Sequence, residues 1–462
     1  MKKAIRILAL VLALLFTVSL VGCGGNKDNK DNNDATELKY DLKGRVVTIG
    51  TWNNEAPDET SANYHKKLEV WTNIEKSYNC KLESLPASNF NSWCRNITIK
   101  ALANEKIADV FLAPFERIVP QWVNSELVVP LDDYFDFSEE HWNKVSNDQW
   151  AMNGKRYGIS DWRIALGYVI LFNKRICAEN GITEEMLYEW QENGEWTWEK
   201  FREVTKQTTK MNSDGRVKSW GLGSAGAYPV SVEPFIYSNG TTPVTISEDF
   251  KYTYNLTDPA AIEAIDFCHK LVYEDKVAYP NFDGASTWQN LWERGKIAFF
   301  EVPLWQLDRQ YKAMKDDPYG MLLMPKGPKA DDYVNVYSST SGFFMQPMVE
   351  DKAIIAQLVS DYCRGNVEYY WENNPTKEPA VDVEHLIFDE GSYKTANMIV
   401  GRSMELMGGG AAWFRDNVLW TSWGIKEKMP ARTFVETYRA PSQKAFDDLW
   451  NGKPSVSEEE GE

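Results

Sequence analysis

The chain is poor in the groups that carry covalent or metal chemistry. Its six cysteines include no C-x-x-C pair, and its four histidines, His65, His141, His269 and His385, are scattered. No H-E-x-x-H or Cys/His cluster is present, so neither a metal nor a cofactor is expected. Walker A and G-x-S-x-G motifs are missing too, which removes the usual signatures of phosphate loops and serine nucleophiles. Basic residues are outnumbered: 50 Lys plus Arg stand against 67 Asp plus Glu, a net charge of -17. Nucleic-acid phosphates need basic patches, so no nucleic-acid partner is expected. A hydrophobic share of 43% still supports sizeable cores, and 462 residues are enough for two or three ordinary domains.

A long apolar run is also missing. The longest, Ile7 to Leu20, is interrupted only by Thr17 and Ser19 and is shorter than the roughly 20 residues of a bilayer span. With Lys2, Lys3 and Arg6 before it, the run has the layout of a signal peptide, residues 1–22. Leu20-Val21-Gly22-Cys23 resembles a bacterial lipobox, in which a diacylglyceryl group is joined to the cysteine thiol. That supplies the more-than-one acyl chain that stable anchoring takes. Residues 23–40 begin with a stretch rich in Asn, Asp, Lys and Gly. They read as a flexible tether, and 454–462 reads as an acidic tail. Without Cys23 the cysteine count is odd. Cys80 and Cys94, the only pair close in sequence, read as buried thiols, with a disulfide between them as the alternative.

Periodicity then organises the body. RVVTIGT (45–51) reads as a buried strand, and Tyr64, Leu68, Trp71, Ile74 and Tyr78 follow at helical spacing. Strand 80–85, helix 90–103 and strand 108–113 complete β-α-β-α-β, which implies a parallel sheet with right-handed crossovers. Ligands of such sheets bind beyond the C-terminal strand ends. Those ends carry Trp52-Asn53-Asn54 and Pro114-Phe115-Glu116-Arg117. Further on, Thr197 is placed to cap a helix and Trp196 to staple onto Phe201. Pro259 suits a first helical position. Strands are expected at 168–172, 297–301, 321–324 and 334–337, and helices after Asp351. GLGSAG (221–226) matches G-x-G-x-x-G, but Pro229 follows it and no helix opens there to receive a pyrophosphate. It reads as a turn.

Several segments, in order, resemble the extracellular solute-binding proteins of ABC importers, especially the sugar-binding family that includes maltose-binding protein. They are ADVFLAP, ELVVPLDDYF, MNGKRYGISDWRIALGYVILFNKRICAENGI, WTWEKFREVTKQ, LWERGKIAFFEVPLW and LLMPKGP. One departure is Val302-Pro303-Leu304, where the family has a small residue before the position of Trp305. The resemblance implies a type II, two-lobed periplasmic-binding-protein-like α/β fold, with hinge crossings and an interlobe ligand cleft. Lobe 1 would comprise 41–160 plus 285–340, and lobe 2 would comprise 161–284 plus 341–453.

It also implies a carbohydrate ligand, a permease as partner, a monomeric state and no catalysis. The protein would sit lipid-anchored on the extracellular or periplasmic side of the cell membrane. The 19 Trp, 22 Tyr and 20 Phe offer flat faces for sugar rings, with amides, carboxylates and arginines for the hydroxyls. Trp71, Trp198 and Trp292 sit at packing positions. Trp52, Trp162, Trp305 and Trp413, in polar or Gly-rich loops, are the expected stacking residues, joined by Phe115. Asn53, Asn54, Glu116 and Asp161 are the expected hydroxyl partners, with Arg163 and Arg415 as bidentate donors. A surface glycoside hydrolase, or capture of a peptide or other polar solute, remains an alternative, since 67 acidic residues leave room for a catalytic pair. Cys23→Ser tests the anchor. The variant should leave the membrane fraction or stay unprocessed, with ligand affinity unchanged, and wild-type partitioning would remove the lipid attachment.

Overall fold

The computed structural model describes residues 39–60, 64–161, 167–214, 217–226, 229–279, 285–337, 340–372, 383–399, 403–405, 414, 418 and 428–451. Cys23 and the acidic tail lie outside them. The first elements are β1 Arg45–Thr51, α1 Tyr64–Tyr78, β2 Cys80–Pro86, α2 Phe90–Leu102, β3 Val110–Pro114 and β4 Gly158–Ile159. Next come β5 Tyr168–Asn173, α3 Glu184–Glu192, α4 Trp198–Thr208, β6 Lys210–Met211, β7 Val217–Ser224 and α5 Val232–Ser238. They are followed by β8 Val244–Ile246, β9 Tyr252–Tyr254, α6 Pro259–His269, α7 Ala285–Glu293, β10 Ile297–Pro303, α8 Leu307–Ala313 and β11 Tyr319–Leu323. The remainder contains β12 Asn335–Tyr337, β13 Ser341–Phe344, α9 Lys352–Glu372, α10 Glu390–Ile399, β14 Ser403–Glu405 and α11 Ala431–Trp450.

The first sheet has the order β2-β1-β3-β13-β4. β1 pairs in parallel with β2 and β3, as the β-α-β-α-β reading requires. Alternation along β1 sends Val47 and Ile49 to the face covered by α1 and α9, while Gly50 faces α2. A Cβ on Gly50 would stand 2.6 Å from the Trp93 ring. The missing side chain therefore lets α2 sit close, and Trp93 Nε1 donates to the Leu112 carbonyl at 2.8 Å. The outer edge of β2 is blunted by Glu75, whose Oε1 accepts the Leu82 N–H at 3.0 Å. Cys80 and Cys94 pack in different clusters. They and Cys177, Cys268 and Cys363 are buried cysteines.

The second sheet has the order β11-β5-β10-β7-β6. β10 is buried along its whole length, as a central strand covered on both faces must be. The expected cap and staple are present. Thr197 accepts the Lys200 N–H, and the Trp196 and Phe201 rings lie 5.7 Å apart, edge to face. The edge strand β11 is closed by side chains: Ser392 Oγ accepts the Met321 N–H at 2.9 Å and Gln191 Oε1 accepts the Leu323 N–H at 2.7 Å. GLGSAG is not a turn at its start: Gly221 and Gly223 lie within β7. A Cβ on Gly221 would meet the Thr205 carbonyl at 1.9 Å, so glycine there permits the close approach of α4.

The expected lobe boundaries need correction. Segment 285–340 does not belong to the first lobe. β10 and β11 are hydrogen-bonded to β5 in the second sheet, while β13 completes the first and α9 packs on α1. The lobes of the described chain are 39–161 with 340–372, and 167–337 with 383–451. The described chain leaves one lobe at 161, 337 and 372 and is next described in the other at 167, 340 and 383. Counted from β2 in the first sheet and from β6 in the second, the fourth strand is the one entered on arrival from the other lobe: β13 in the first and β5 in the second. Each runs antiparallel to both its neighbours. No described helix is long and apolar enough to cross a membrane.

In the first lobe His141 is 2% exposed. Its Nε2 lies 3.3 Å from Ser360 Oγ on α9, and Glu139 is 3.7 Å away. Burial, only partly offset by Glu139, pushes its pKa below the usual 6.5. The native state thus favours neutral histidine. Its contribution is complete above the unfolded value and is lost as pH falls through the folded one. Subtracting the stability of His141→Gln from that of the wild type across pH 8 to 5 should leave a difference that shrinks below about pH 6.5. A flat difference would place the titration elsewhere.

Candidate functional site

The parallel strands of both lobes end beside the crossings. In lobe 1, Phe115, just past β3, donates its N–H to the Thr340 carbonyl at 3.0 Å, and Asp161 forms a bridge with Trp142. In lobe 2, the end of β10 pairs Pro303 with Tyr168, and the Leu304 N–H reaches the Gly167 carbonyl at 3.0 Å. The C-terminal ends of β3 and β10 therefore lie where the chain passes from one lobe to the other. This is the position that open α/β sheets reserve for ligands.

Trp52 follows β1 and is half-buried, its ring edge-on to Phe90 at 5.4 Å. Asn53 and Asn54 are exposed beside it. Asn53 donates its N–H to Thr51 Oγ1 at 3.2 Å, and Asn54 Oδ1 accepts the Ala56 N–H at 3.1 Å. That Asx turn fixes the chain leaving the strand. Glu116 and Asp161 are buried, at 7% and 9% exposure.

Phe115 is a correction: its ring is a core group, 1% exposed. It stacks on Trp150 at 5.7 Å and meets the edge of Phe344 at 5.3 Å. Gly158 and Gly342 make the space, since a Cβ on either would come within 2.6 Å of the Phe115 ring. The stack continues into the other lobe. Phe250, at the tip of the β8–β9 hairpin, lies on Trp150 at 5.4 Å, and the Asn153 N–H donates to the Glu248 carbonyl at 3.0 Å. Phe115 thus supports a lobe-to-lobe contact instead of facing a ligand.

Trp305 has the opposite character. It occupies the short 3-10 turn Leu304–Gln306 after β10 and is 71% exposed. Val302 and Leu304 are buried around it. The bulkier Val-Pro-Leu segment therefore anchors the stem while the indole projects outward. Trp162, Arg163, Trp413 and Arg415 lie outside the described residues. Trp71, Trp198 and Trp292 are buried.

A buried polar group near Trp305 escaped the sequence reading. Glu301 is 0% exposed, and its Oε2 accepts the Ser231 N–H at 2.9 Å. Burial pushes its carboxyl up to about 7. Glu233 is 4% exposed. Burial, then Glu301 and Glu233, raise the Tyr168 phenol. The available signal was one charge inside the apolar run IAFFEVP. Among the described residues no group of three or more His, Cys, Asp or Glu is placed to hold a metal ion.

No family model matches the chain, and no curated protein matches it in sequence. Solved structures do match. UspC of Mycobacterium tuberculosis is 15% identical over 87% of this chain and 100% of its own, with a TM-score of 0.62. The maltose/maltodextrin-binding domain MalE of Bdellovibrio bacteriovorus, bound to maltotriose, is 16% identical over 87% and 100%, with a TM-score of 0.58. UgpB of Mycobacterium tuberculosis, in complex with glycerophosphocholine, is 14% identical over 88% and 98%, also with a TM-score of 0.58. The fold is the two-lobed periplasmic-binding-protein-like α/β fold. Phe115→Ala should cost about 3–5 kcal/mol of unfolding free energy, as buried Phe truncations do, read by denaturant titration. Unchanged stability would return the ring to the ligand.

Proposed function

We propose that this protein is the lipid-anchored solute-binding receptor of an ABC importer, and that it captures a carbohydrate between its lobes. Support comes from the ordered segments from ADVFLAP to LLMPKGP, from the two-lobed fold, and from the strand ends that meet at the crossings. The observation that carries the carbohydrate reading is Trp305, a large aromatic left 71% exposed on a buried stem at the end of β10. An indole face held in that way suits the apolar C–H patch of a sugar ring. Trp52, Asn53 and Asn54 supply a second aromatic and amide groups from lobe 1. Trp162, Arg163, Trp413 and Arg415 complete the proposed set.

A ligand touching both lobes at once favours the closed arrangement by its differential affinity for it. The closed protein then docks on the permease subunits and releases the solute, without chemistry on it. Cys23 holds the receptor at the outer membrane surface, and residues 23–40 give it reach. A second reading is a polar solute other than sugar, because a similarly matched fold, UgpB, is bound to glycerophosphocholine.

A thermal-shift screen of maltotriose, other oligosaccharides, glycerophosphocholine and short peptides separates these readings. A ligand at 100 times its Kd stabilises by about 2.7 kcal/mol. A shift with peptides and none with saccharides would remove the carbohydrate, and product formed at catalytic rates would remove the binding-only role. Trp305→Ala should cost about 1.5–3 kcal/mol of binding, the transfer value of a large apolar side chain. That is roughly ten- to hundredfold in Kd by calorimetry, with the melting point of the free protein little changed. Unaltered affinity would exclude Trp305 from the site.

A further inference from the structure

Glu301 is the one ionisable side chain in β10, and its seven-residue strand is buried throughout. The groups around it come from several elements. Tyr168 faces it from β5 and Cys268 from α6, and Glu233 on α5 lies close to Tyr168. None of these is a cation. The hydrogen bonds that hold the carboxyl come from Ser231, and its Oε1 has no partner among the described residues. An acid placed there costs stability relative to an apolar side chain of similar size. Packing therefore does not account for it.

What the side chain accomplishes is a tie between two backbone points. The Glu301 carbonyl accepts the Ala225 N–H at 2.8 Å, and its Oε2 accepts the Ser231 N–H at 2.9 Å. Ser224 Oγ accepts the Gly226 N–H at 3.0 Å and lies 3.4 Å from Ser231 Oγ. The end of β7 and the start of α5 are thereby drawn together, four residues before Trp305.

We propose that Glu301 is a positioning residue of the cleft, holding the start of α5 against the end of β7 beside the stem of Trp305. This deepens the solute-binding reading and rests on it for the ligand. The tie is sensitive to pH. A carboxylate is a stronger acceptor than a carboxylic acid, so the Ser231 bond tightens as Glu301 ionises around its raised value of about 7. Global stability moves the other way. A carboxyl raised from 4.5 to about 7 favours the fold most below 4.5, and that advantage is lost as pH rises through about 7.

Amide hydrogen exchange on the unliganded full chain at pH 6 and pH 8.5 tests the tie, with rates corrected for intrinsic pH dependence. In the wild type, protection of Ser231 should rise roughly fivefold with pH, the difference between a neutral and a charged acceptor. Glu301→Gln keeps an acceptor, so Ser231 should stay protected and lose the pH response. Glu301→Leu should lose the protection at both pH values while the β10 amides keep theirs. Protection that ignores pH in the wild type, survives Glu301→Leu, or falls across the whole lobe would overturn the proposal. Maltotriose affinity should follow the same pattern, with Glu301→Leu weaker than wild type and Glu301→Gln close to it but independent of pH. Affinity untouched by Glu301→Leu, despite the lost protection, would reduce the tie to a structural one. Absence of maltotriose binding by the wild type would count against the carbohydrate reading, while the exchange data would still decide the tie.

Discussion

Everything in this molecule depends on how two sheets obtain their fourth strands. A buried strand must pair its backbone on both sides, because an unpaired N–H or C=O away from water is costly. In the first sheet the gap between β3 and β4 is filled by β13, and in the second the gap between β10 and β11 is filled by β5. Both strands follow directly on a passage from the opposite lobe, so two of the three crossings are anchored at once inside a sheet. The strand ends Pro114–Phe115 and Pro303–Leu304 are thereby fixed beside the crossings, through Thr340 and Gly167.

Aromatic residues are divided sharply between two uses. Trp150, Trp196, Trp288 and Trp292 are among the largest fully buried side chains. They fill space between sheet and helix, and Trp150 joins Phe115 and Phe250 in a stack that spans the lobes. Trp305 is held outward by buried neighbours. The difference lies in the stem. Trp288 and Trp292 lie inside a helix and pack inward, whereas Trp305 stands on a short turn whose neighbours Val302 and Leu304 are buried while its own ring is 71% exposed.

Local order is largely legible in the sequence. β1, α1, β2, α2 and β3 follow the hydrophobic periodicity, and Thr197, Trp196 and Pro259 mark helix starts that are present. Phe115 was misread because its place after β3 is the right address for a ligand contact. Only Gly158 and Gly342, distant in sequence, open the pocket that swallows its ring. Glu301 was passed over because a single acid in an apolar run has no partner visible in sequence; its partner Ser231 lies seventy residues away. GLGSAG reads as a turn in sequence because glycine in a strand needs a reason, and the reason is the Thr205 carbonyl on a different element.

The sequence by itself determined the elements from β1 to β3 and the helix starts at Thr197 and Pro259, since those are set by neighbours within a few residues. Which lobe owns β10 and β11, and which owns β13, was decided only in three dimensions. A strand buried on both faces fits the centre of either sheet, and nothing in its own residues states which backbone it will pair with. That choice is made by the whole chain, through the register of Phe299 on Phe172 and of Gly342 on Ala113. It also decides which side chains face the cleft.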